Sequence, residues 1–211
     1  MNEAVALAEQ ILARAGDARK RFFVAIAGPP GSGKSTLSEA LLRALEATSP
    51  GRAALVPMDG YHYDNAILEE RGLMGRKGAP ETFDVDGLLA DLARILRGDK
   101  PVAVPVFDRG LDLSRASARI IAPEHRIVLV EGNYLLLDVD PWRALSSVFD
   151  MSVMVEANDE ELRRRLVQRW LDHGLEPELA RLRAEGNDLP NARMVLERSQ
   201  APDILFDTEC D

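Results

Sequence analysis

One eight-residue stretch, residues 28–35, constrains the fold of this chain most strongly, because it matches the pattern G-x-x-x-x-G-K-[ST] at every position. An apolar run, Phe22–Ala27, precedes it and a helical pattern, Lys34–Ala47, follows, which distinguishes it from a glycine-rich turn with a chance lysine. In such a loop the backbone N–H groups turn around phosphate oxygens, and the helix N-terminus points at the same anion. The stretch predicts a nucleoside triphosphate site formed by Gly28, Pro29, Pro30, Gly31, Ser32, Gly33, Lys34, Ser35 and Thr36.

Short apolar runs alternate with helical patterns along the chain, and this order predicts a parallel sheet covered by helices on both faces. The candidate strands are Phe22–Ala27, Ala53–Pro57, Val102–Phe107 with an internal proline, Ile127–Val130, Ser152–Val155 and Asp203–Phe206. The candidate helices are residues 2–15, Lys34–Ala47, Val85–Arg97 capped by Asp84, Asp159–His173, Glu176–Ala184 and Pro190–Arg198. Because ligands of such sheets bind beyond the carboxyl ends of the strands, we expect the chemistry just after each strand.

Composition narrows the classes of function and the cellular setting. The chain has 211 residues with 26 Lys plus Arg against 35 Asp plus Glu, so its net charge of −9 argues against a nucleic-acid binder. No apolar run approaches the roughly 18 residues of a membrane span, and acidic residues in the first 20 argue against a secretory signal. A single cysteine, Cys210, excludes an intramolecular disulfide. We therefore expect one cytoplasmic domain over residues 1–211 with no membrane partner.

Lys34, Ser35 and Glu131 carry the predicted phosphate and metal chemistry. Lys34 is placed to reach the β- and γ-phosphates, and Ser35 to ligate Mg²⁺. Glu131 directly follows the apolar strand Ile127–Val130, which is the arrangement of a Walker B acid that holds Mg²⁺ directly or through its water. The alternative for Glu131 is a strand-terminal carboxylate that faces solvent.

Asp59 follows the carboxyl end of the second predicted strand and is the candidate general base. A carboxylate at this position can accept the proton of an attacking hydroxyl group. The alternatives are that Asp59 caps the next helix or binds Mg²⁺ through water. Tyr61 and His62 follow in the same loop and are candidate substrate contacts, although both are equally compatible with packing or with simple hydrogen bonding.

A basic run near residue 165 predicts a phosphate-closing lid. Arg165 and Arg169 are four residues apart and share one helix face, and guanidinium groups suit the charge of a transferring phosphoryl group. A lid also excludes water during transfer. The alternative is a solvated face on which Glu160 and Glu161 pair with the arginines.

Several segments together resemble the family of phosphoribulokinase, uridine kinase and bacterial pantothenate kinase. The resemblance runs from residue 23 to about residue 206 and is closest to small bacterial proteins described as fructose transport system kinases or as uridine-kinase-like. At residues 169–170 the chain has Arg-Trp where uridine kinases have Arg-Asp. Beyond the phosphate loop, the segments that carry the resemblance are residues 58–62 (MDGYH), 76–84 (RKGAPETFD), 105–108 (PVFD) and 130–133 (VEGN).

The resemblance implies a P-loop NTP hydrolase fold with five parallel strands, Mg·ATP as cofactor and a helical lid over about residues 157–190. Under it Asp59 is the catalytic base and Glu131 the Walker B acid. It also implies that Arg165 and Arg169 are the lid arginines and that Asp108 and Arg109 lie in the substrate-side segment. With Lys34 of the phosphate loop, the two lid arginines complete the predicted catalytic residues.

The sequence favours an ATP-dependent kinase that phosphorylates a hydroxyl group of a small metabolite. The family resemblance makes a sugar such as fructose the first candidate acceptor, with a nucleoside or pantothenate as alternatives. A second class of function is a regulatory P-loop NTPase with a protein partner. Residues 84–87 formally match the D-x-x-G motif of GTPases, but Asp84 is better interpreted as the cap of the following helix.

Overall fold

The computed structural model describes residues 2–16 and 20–208, so Cys210 lies outside the described residues. A central sheet of five parallel strands has the order β2-β5-β1-β6-β7, and β3 and β4 form a separate antiparallel hairpin. The strands are β1 (Phe22–Ala27), β2 (Ala53–Pro57), β3 (Val102–Asp108), β4 (Leu113–Ile121), β5 (Ile127–Gly132), β6 (Met151–Glu156) and β7 (Ile204–Asp207). The helices are α1 (Asn2–Ala15), α2 (Lys34–Thr48), α3 (Asn65–Glu70), α4 (Val85–Arg97), α5 (Asp159–Asp172), α6 (Pro177–Arg183) and α7 (Leu189–Arg198).

The apolar strand runs are buried on both faces of the sheet. In β1, Phe23 and Ala25 belong to one core and Val24 and Ile26 to the other, because successive side chains of a strand point to opposite faces. Helices α1 and α2 cover the second core, and α4 contributes to the first. The predicted α/β fold with a five-stranded parallel sheet is confirmed.

The run Val102–Phe107 forms a strand, but the prediction that this strand belongs to the parallel sheet is wrong. It is most of β3, which pairs with β4 in the hairpin, and the register shifts between Val104 and Val106. Pro105 lies at this shift, where the N–H that proline lacks is not required by the ladder. A Cβ atom on Gly60 would lie 2.4 Å from the Pro105 carbonyl oxygen, so the hairpin packs tightly on the turn that follows β2.

The segment from α5 to α7 forms a helical layer beside the phosphate loop. Helices α6 and α7 are joined by one π-helical turn, Ala184–Asp188. Leu162 and Leu166 of α5 pack against Leu189 in a small core of their own. Across residues 2–16 and 20–208, no helix is long and apolar enough to cross a membrane.

Candidate active site

The phosphate loop has the backbone conformation that its glycines predict. Gly31 and Gly33 have φ values of +84° and +91°, a region that other residues rarely adopt, and Gly33 caps the N-terminus of α2. A Cβ atom on Gly28 would lie only 2.5 Å from the Val155 carbonyl oxygen, so a side chain does not fit there. The loop therefore presents backbone N–H groups and a helix N-terminus to the same point.

Lys34, Ser35 and Glu131 meet at the carboxyl end of the sheet. Lys34 Nζ lies 3.9 Å from Glu131 Oε1, and Ser35 Oγ donates a hydrogen bond to the same oxygen at 3.1 Å. Burial lowers the pKa of Lys34 and raises the pKa of Glu131, and the attraction between the two charges opposes both shifts. Glu131 faces the interior, so it does not have the solvent-facing position considered above.

A hydroxyl and a carboxylate oxygen are hard ligands that fit Mg²⁺ at Ser35 and Glu131. Mg²⁺ usually keeps several waters and binds through one or two protein ligands plus substrate phosphates. No cluster of three or more His, Cys, Asp or Glu side chains able to hold a metal occurs within the described part of the chain. These two residues would hold the ion next to the phosphate loop.

Asp59 lies in the short 3₁₀ turn Met58–Tyr61 directly after β2. Its Oδ2 atom accepts a hydrogen bond from Arg109 Nη2 at 3.0 Å, and the Asp59 side chain is 25 % exposed. Arg109 comes from the β3–β4 hairpin, so the hairpin orients this carboxylate. Asp59 and Lys34 line one cavity of about 400 Å³, here named the inner cavity.

His62 lines the inner cavity as part of an aromatic wall. Its ring packs against Phe83 and Phe107, with centroid distances of 3.9 and 4.9 Å. The Nδ1–H group donates a hydrogen bond to the Asp59 carbonyl oxygen at 2.9 Å, and burial lowers the pKa of His62. A neutral His62 is therefore suited to contact a bound substrate rather than to carry charge.

Two of the predicted substrate residues do not line the inner cavity. Tyr61 is buried in the core, and its hydroxyl donates to Asp91 Oδ2 at 2.9 Å. Asp108 pairs with Arg115 at 3.2 Å and accepts hydrogen bonds from two backbone N–H groups of the hairpin turn. The structure thus gives Tyr61 a packing position and Asp108 a turn-stabilising position, neither of which the sequence pattern distinguished from substrate contact.

Arg165 and Arg169 extend to two different cavities. Arg165 Nη1 donates to the carbonyl oxygens of Gly31 and Ser32 at 3.3 and 3.4 Å. It lines a second cavity of about 490 Å³, here named the outer cavity, together with Thr36. Arg169 instead lines the inner cavity beside Lys34, Asp59 and Arg109. Burial and the neighbouring Arg109 lower the pKa of Arg169.

The inner cavity also contains residues to which the sequence analysis assigned no role. Trp170 Nε1 donates to Asp188 Oδ2 at 2.6 Å, and the guanidinium carbons of Arg169 and Arg183 lie 5.6 and 5.3 Å from the centre of its indole ring. Lys77 reaches the cavity from the segment that carries the family resemblance. The one available signal for Trp170 was its departure from the Arg-Asp pair of uridine kinases.

Comparison with known proteins identifies the family. A family model described as an AAA domain matches residues 24–178. The uncharacterized protein YggC of Escherichia coli (strain K12) is 36 % identical over 192 residues, which are 90 % of this chain and 78 % of that protein. A "putative uridine kinase" of Schizosaccharomyces pombe is 32 % identical over 197 residues, covering 89 % of this chain and 83 % of the relative. The chain belongs to the P-loop kinases.

A solved structure supports the assignment over nearly the whole length of this P-loop kinase. The protein, a "putative fructose transport system kinase" from Silicibacter sp. TM1040, is 46 % identical with a TM-score of 0.89, and the match covers 96 % of this chain and 98 % of that one. The pantothenate kinase of Parvibaculum lavamentivorans is 34 % identical over 161 residues, but this P-loop kinase spans only 48 % of its length. Kinases of this family use Mg·ATP.

Proposed function

We propose that this P-loop kinase transfers the γ-phosphate of Mg·ATP to a hydroxyl group of a neutral sugar. The observation that carries the proposal is the inner cavity, which brings the phosphate-loop lysine, a strand-terminal carboxylate and a lid arginine to one place. Phosphoryl transfer requires mainly positioning and charge stabilisation, and these three groups supply both.

The nucleotide is proposed to lie across the phosphate loop, with its terminal phosphate in the inner cavity. The outer cavity lies on the other side of the loop and is lined by Thr36, Arg165, Phe206 and Thr208. An aromatic ring and a guanidinium group suit a planar base, so we assign the nucleotide base to this cavity. Residues of about 157–190 would then act as a lid that contacts both ends of the nucleotide.

Asp59 is the proposed general base. The acceptor oxygen would bond to the γ-phosphorus while the bond from that phosphorus to the β–γ bridging oxygen breaks, and ADP leaves. The hydroxyl proton would go to Asp59, whose carboxylate is oriented by the 3.0 Å hydrogen bond from Arg109 Nη2. Lys34 and Arg169 would stabilise the negative charge that moves during transfer.

Two observations support a sugar over the other acceptors. The solved relative that is 46 % identical to this chain is described as a "putative fructose transport system kinase". The inner cavity also has Phe107 and His62 on one side and Trp170 on the lid side, and aromatic faces beside charged and polar groups suit a small polyhydroxy ring.

Acceptor-dependent ADP formation tests this proposal. The purified chain with Mg·ATP would be assayed with D-fructose, uridine, pantothenate and no addition, and we expect D-fructose to stimulate ADP formation well above the basal rate. Detection of the phosphorylated product by mass spectrometry confirms transfer rather than hydrolysis. Stimulation by uridine or pantothenate alone contradicts the sugar assignment, and steady hydrolysis that no acceptor stimulates supports a regulatory NTPase instead.

Separate alanine substitutions of the two lid arginines should have different effects, because the side chains reach different cavities. Arg169→Ala should lower kcat about 10²-fold or more with little change in ADP affinity, since its charge would act on the transferring group. Arg165→Ala should mainly weaken ADP binding, measured by calorimetry. Arg193→Ala, at an exposed position of α7, is the control. Equal losses of rate and affinity in both variants would contradict the division of roles.

A further inference from the structure

The guanidinium group of Arg169 lies in the inner cavity without a protein group that pairs with its charge. Its Nε atom is buried and has no hydrogen-bond partner within the described part of the chain, and no carboxylate there forms an ion pair with it. The cations Lys34, Arg109 and Arg183 line the same cavity. An unpaired guanidinium among like charges is unfavourable, so other contacts must hold it in this position.

The aromatic ring of Trp170 makes such a contact. The guanidinium carbon of Arg169 lies 5.6 Å from the centre of the indole ring, and that of Arg183 lies 5.3 Å from it. Both distances are in the range of cation–π attraction, which strengthens where water is excluded. Adjacent residues of a helix point about 100° apart, so being neighbours in the chain does not by itself bring Arg169 onto the face of Trp170.

Asp188 fixes the orientation of the Trp170 ring. This carboxylate is 7 % exposed, and its Oδ2 atom accepts the hydrogen bond from the indole N–H group at 2.6 Å. Asp188 comes from the π-helical turn between α6 and α7, whereas Trp170 is on α5 and packs against the small core that contains Leu162. The ring is thus held by a hydrogen bond from one element and by apolar packing from another. The negative charge of Asp188 also opposes the fall in the pKa of Arg169.

We propose that Trp170 is a positioning residue, oriented by Asp188, that keeps the Arg169 guanidinium in the inner cavity, ready for the transferring phosphoryl group. This inference rests on the proposed function, because that function assigns the charge of Arg169 to phosphoryl transfer. A charge that is already in place requires no reorganisation during the reaction, and a displacement of about 1 Å can cost about 10²-fold in rate. Trp170 acts through Arg169 and contacts neither the phosphoryl group nor the acceptor in this role.

A double-mutant cycle between Trp170 and Arg169 tests the inference. Trp170→Leu should lower kcat about tenfold or more, because a displaced guanidinium stabilises the moving charge less well. In the Arg169→Ala background the same substitution should change kcat by less than about twofold, since no guanidinium is left to position. The values of kcat come from ADP formation at saturating Mg·ATP, with the acceptor among D-fructose, uridine and pantothenate that stimulates it most.

Conservative variants resolve the two contacts of the ring. Trp170→Phe keeps an aromatic face but loses the N–H donor, so its kcat should fall less than that of Trp170→Leu, and it replaces that variant should leucine prevent folding. Asp188→Ala removes the acceptor of the same hydrogen bond. Combining Asp188→Ala with Trp170→Phe should lower kcat no further than Asp188→Ala alone, because both substitutions remove one shared interaction.

Val167→Ala is the matched control for damage to the lid. Val167 is also on α5 and packs against the same small core, but it does not line the inner cavity, so kcat should stay at the wild-type value. The thermal unfolding midpoint of every variant reports on folding. A loss of kcat that Val167→Ala shares, or losses that multiply in the double variant of Trp170 and Arg169, would indicate a structural role for Trp170 and overturn the inference.

The KM of the acceptor separates positioning from direct contact. If Trp170→Leu raises this KM equally in the wild-type and Arg169→Ala backgrounds and leaves kcat unchanged, Trp170 contacts the acceptor and the inference is overturned. A fall in kcat that disappears in the Arg169→Ala background supports positioning, because a contact with the acceptor does not depend on that guanidinium.

The single variant Arg169→Ala reports separately on the proposed function. If it lowers kcat about 10²-fold or more while the effect of Trp170→Leu is independent of it, the proposed function stands and only this inference fails. If Arg169→Ala leaves kcat unchanged, the proposed role of the lid arginine and this inference fail together. If uridine or pantothenate is the acceptor, the sugar assignment fails, and the same cycle still decides the inference because it concerns the phosphoryl group.

Discussion

Replacing Lys34 with alanine should lower the turnover of Mg·ATP by at least about 10²–10³-fold, the size of effect seen when one preorganised charge or donor is removed from a transition-state site. Lys34 lies in the phosphate loop at the start of α2, and its ammonium group reaches toward the end of β5, 3.9 Å from Glu131. Alanine removes the charge placed at the β- and γ-phosphates while leaving the backbone N–H groups of the loop in place. Initial rates of ADP formation at saturating acceptor measure the loss.

The fold of the Lys34→Ala variant should be retained, because Glu131 keeps the hydrogen bond from Ser35. Circular dichroism and the thermal unfolding midpoint check this point. Lys100→Ala changes an exposed lysine after α4 and is the matched control, with activity expected at the wild-type level. Near-normal turnover by a folded Lys34→Ala variant would show that the phosphate loop does not work as proposed.

Asp59→Asn should lower kcat by about 10²–10⁴-fold, the usual contribution of a general base. The amide has nearly the size of the carboxylate and can still hydrogen-bond to an acceptor hydroxyl, but it cannot take up its proton at neutral pH. Arg109 loses its partner in this variant, yet its side chain is 52 % exposed, so water can solvate the guanidinium. Calorimetric binding of Mg·ATP should change little, because Lys34, Ser35 and Glu131 remain.

The Asp59 experiment also separates the alternatives considered for this residue. A collapse of Mg·ATP binding together with the rate would make Asp59 chiefly a metal ligand. A rate loss below about tenfold would mean that positioning by the phosphate loop and lid carries most of the catalysis. Asp99→Asn, at an exposed position after α4, is the matched control and should leave kcat and Mg·ATP binding at their wild-type values.

Local patterns in the sequence predicted the elements of this protein well. The periodicity of Val85–Arg97 predicted α4 with both of its ends, and Asp84 caps it by accepting a hydrogen bond from the Gly87 N–H. The phosphate loop was recognisable because its function demands glycine at fixed positions, where the φ values are positive. Apolar runs that end in an acid marked β2 and β5, because parallel strands are buried on both faces and ligands bind at their carboxyl ends.

Side-chain roles that depend on distant partners were not predictable in the same way. Tyr61 and Asp108 are polar residues at or just after strand ends, as Asp59 is. However, Tyr61 bonds to Asp91 and Asp108 pairs with Arg115, and neither lines the inner cavity. Strand β4 escaped prediction because five of its nine residues are exposed and polar residues interrupt its apolar ones, and its pairing with β3 provides the order that its composition does not. That hairpin is what brings Arg109 to Asp59.

Arg165 and Arg169 separate what the spacing of residues predicts from what depends on tertiary packing. Spacing of four residues correctly placed Arg165 and Arg169 on one face of α5. Four residues also separate them by about 6 Å along the helix axis, which is enough for one to contact the outer side of the phosphate loop and the other the inner cavity. Periodicity is a property of neighbouring residues and was legible in the chain, whereas the cavity that each guanidinium enters was decided by the packing of α5 against a loop more than 130 residues away.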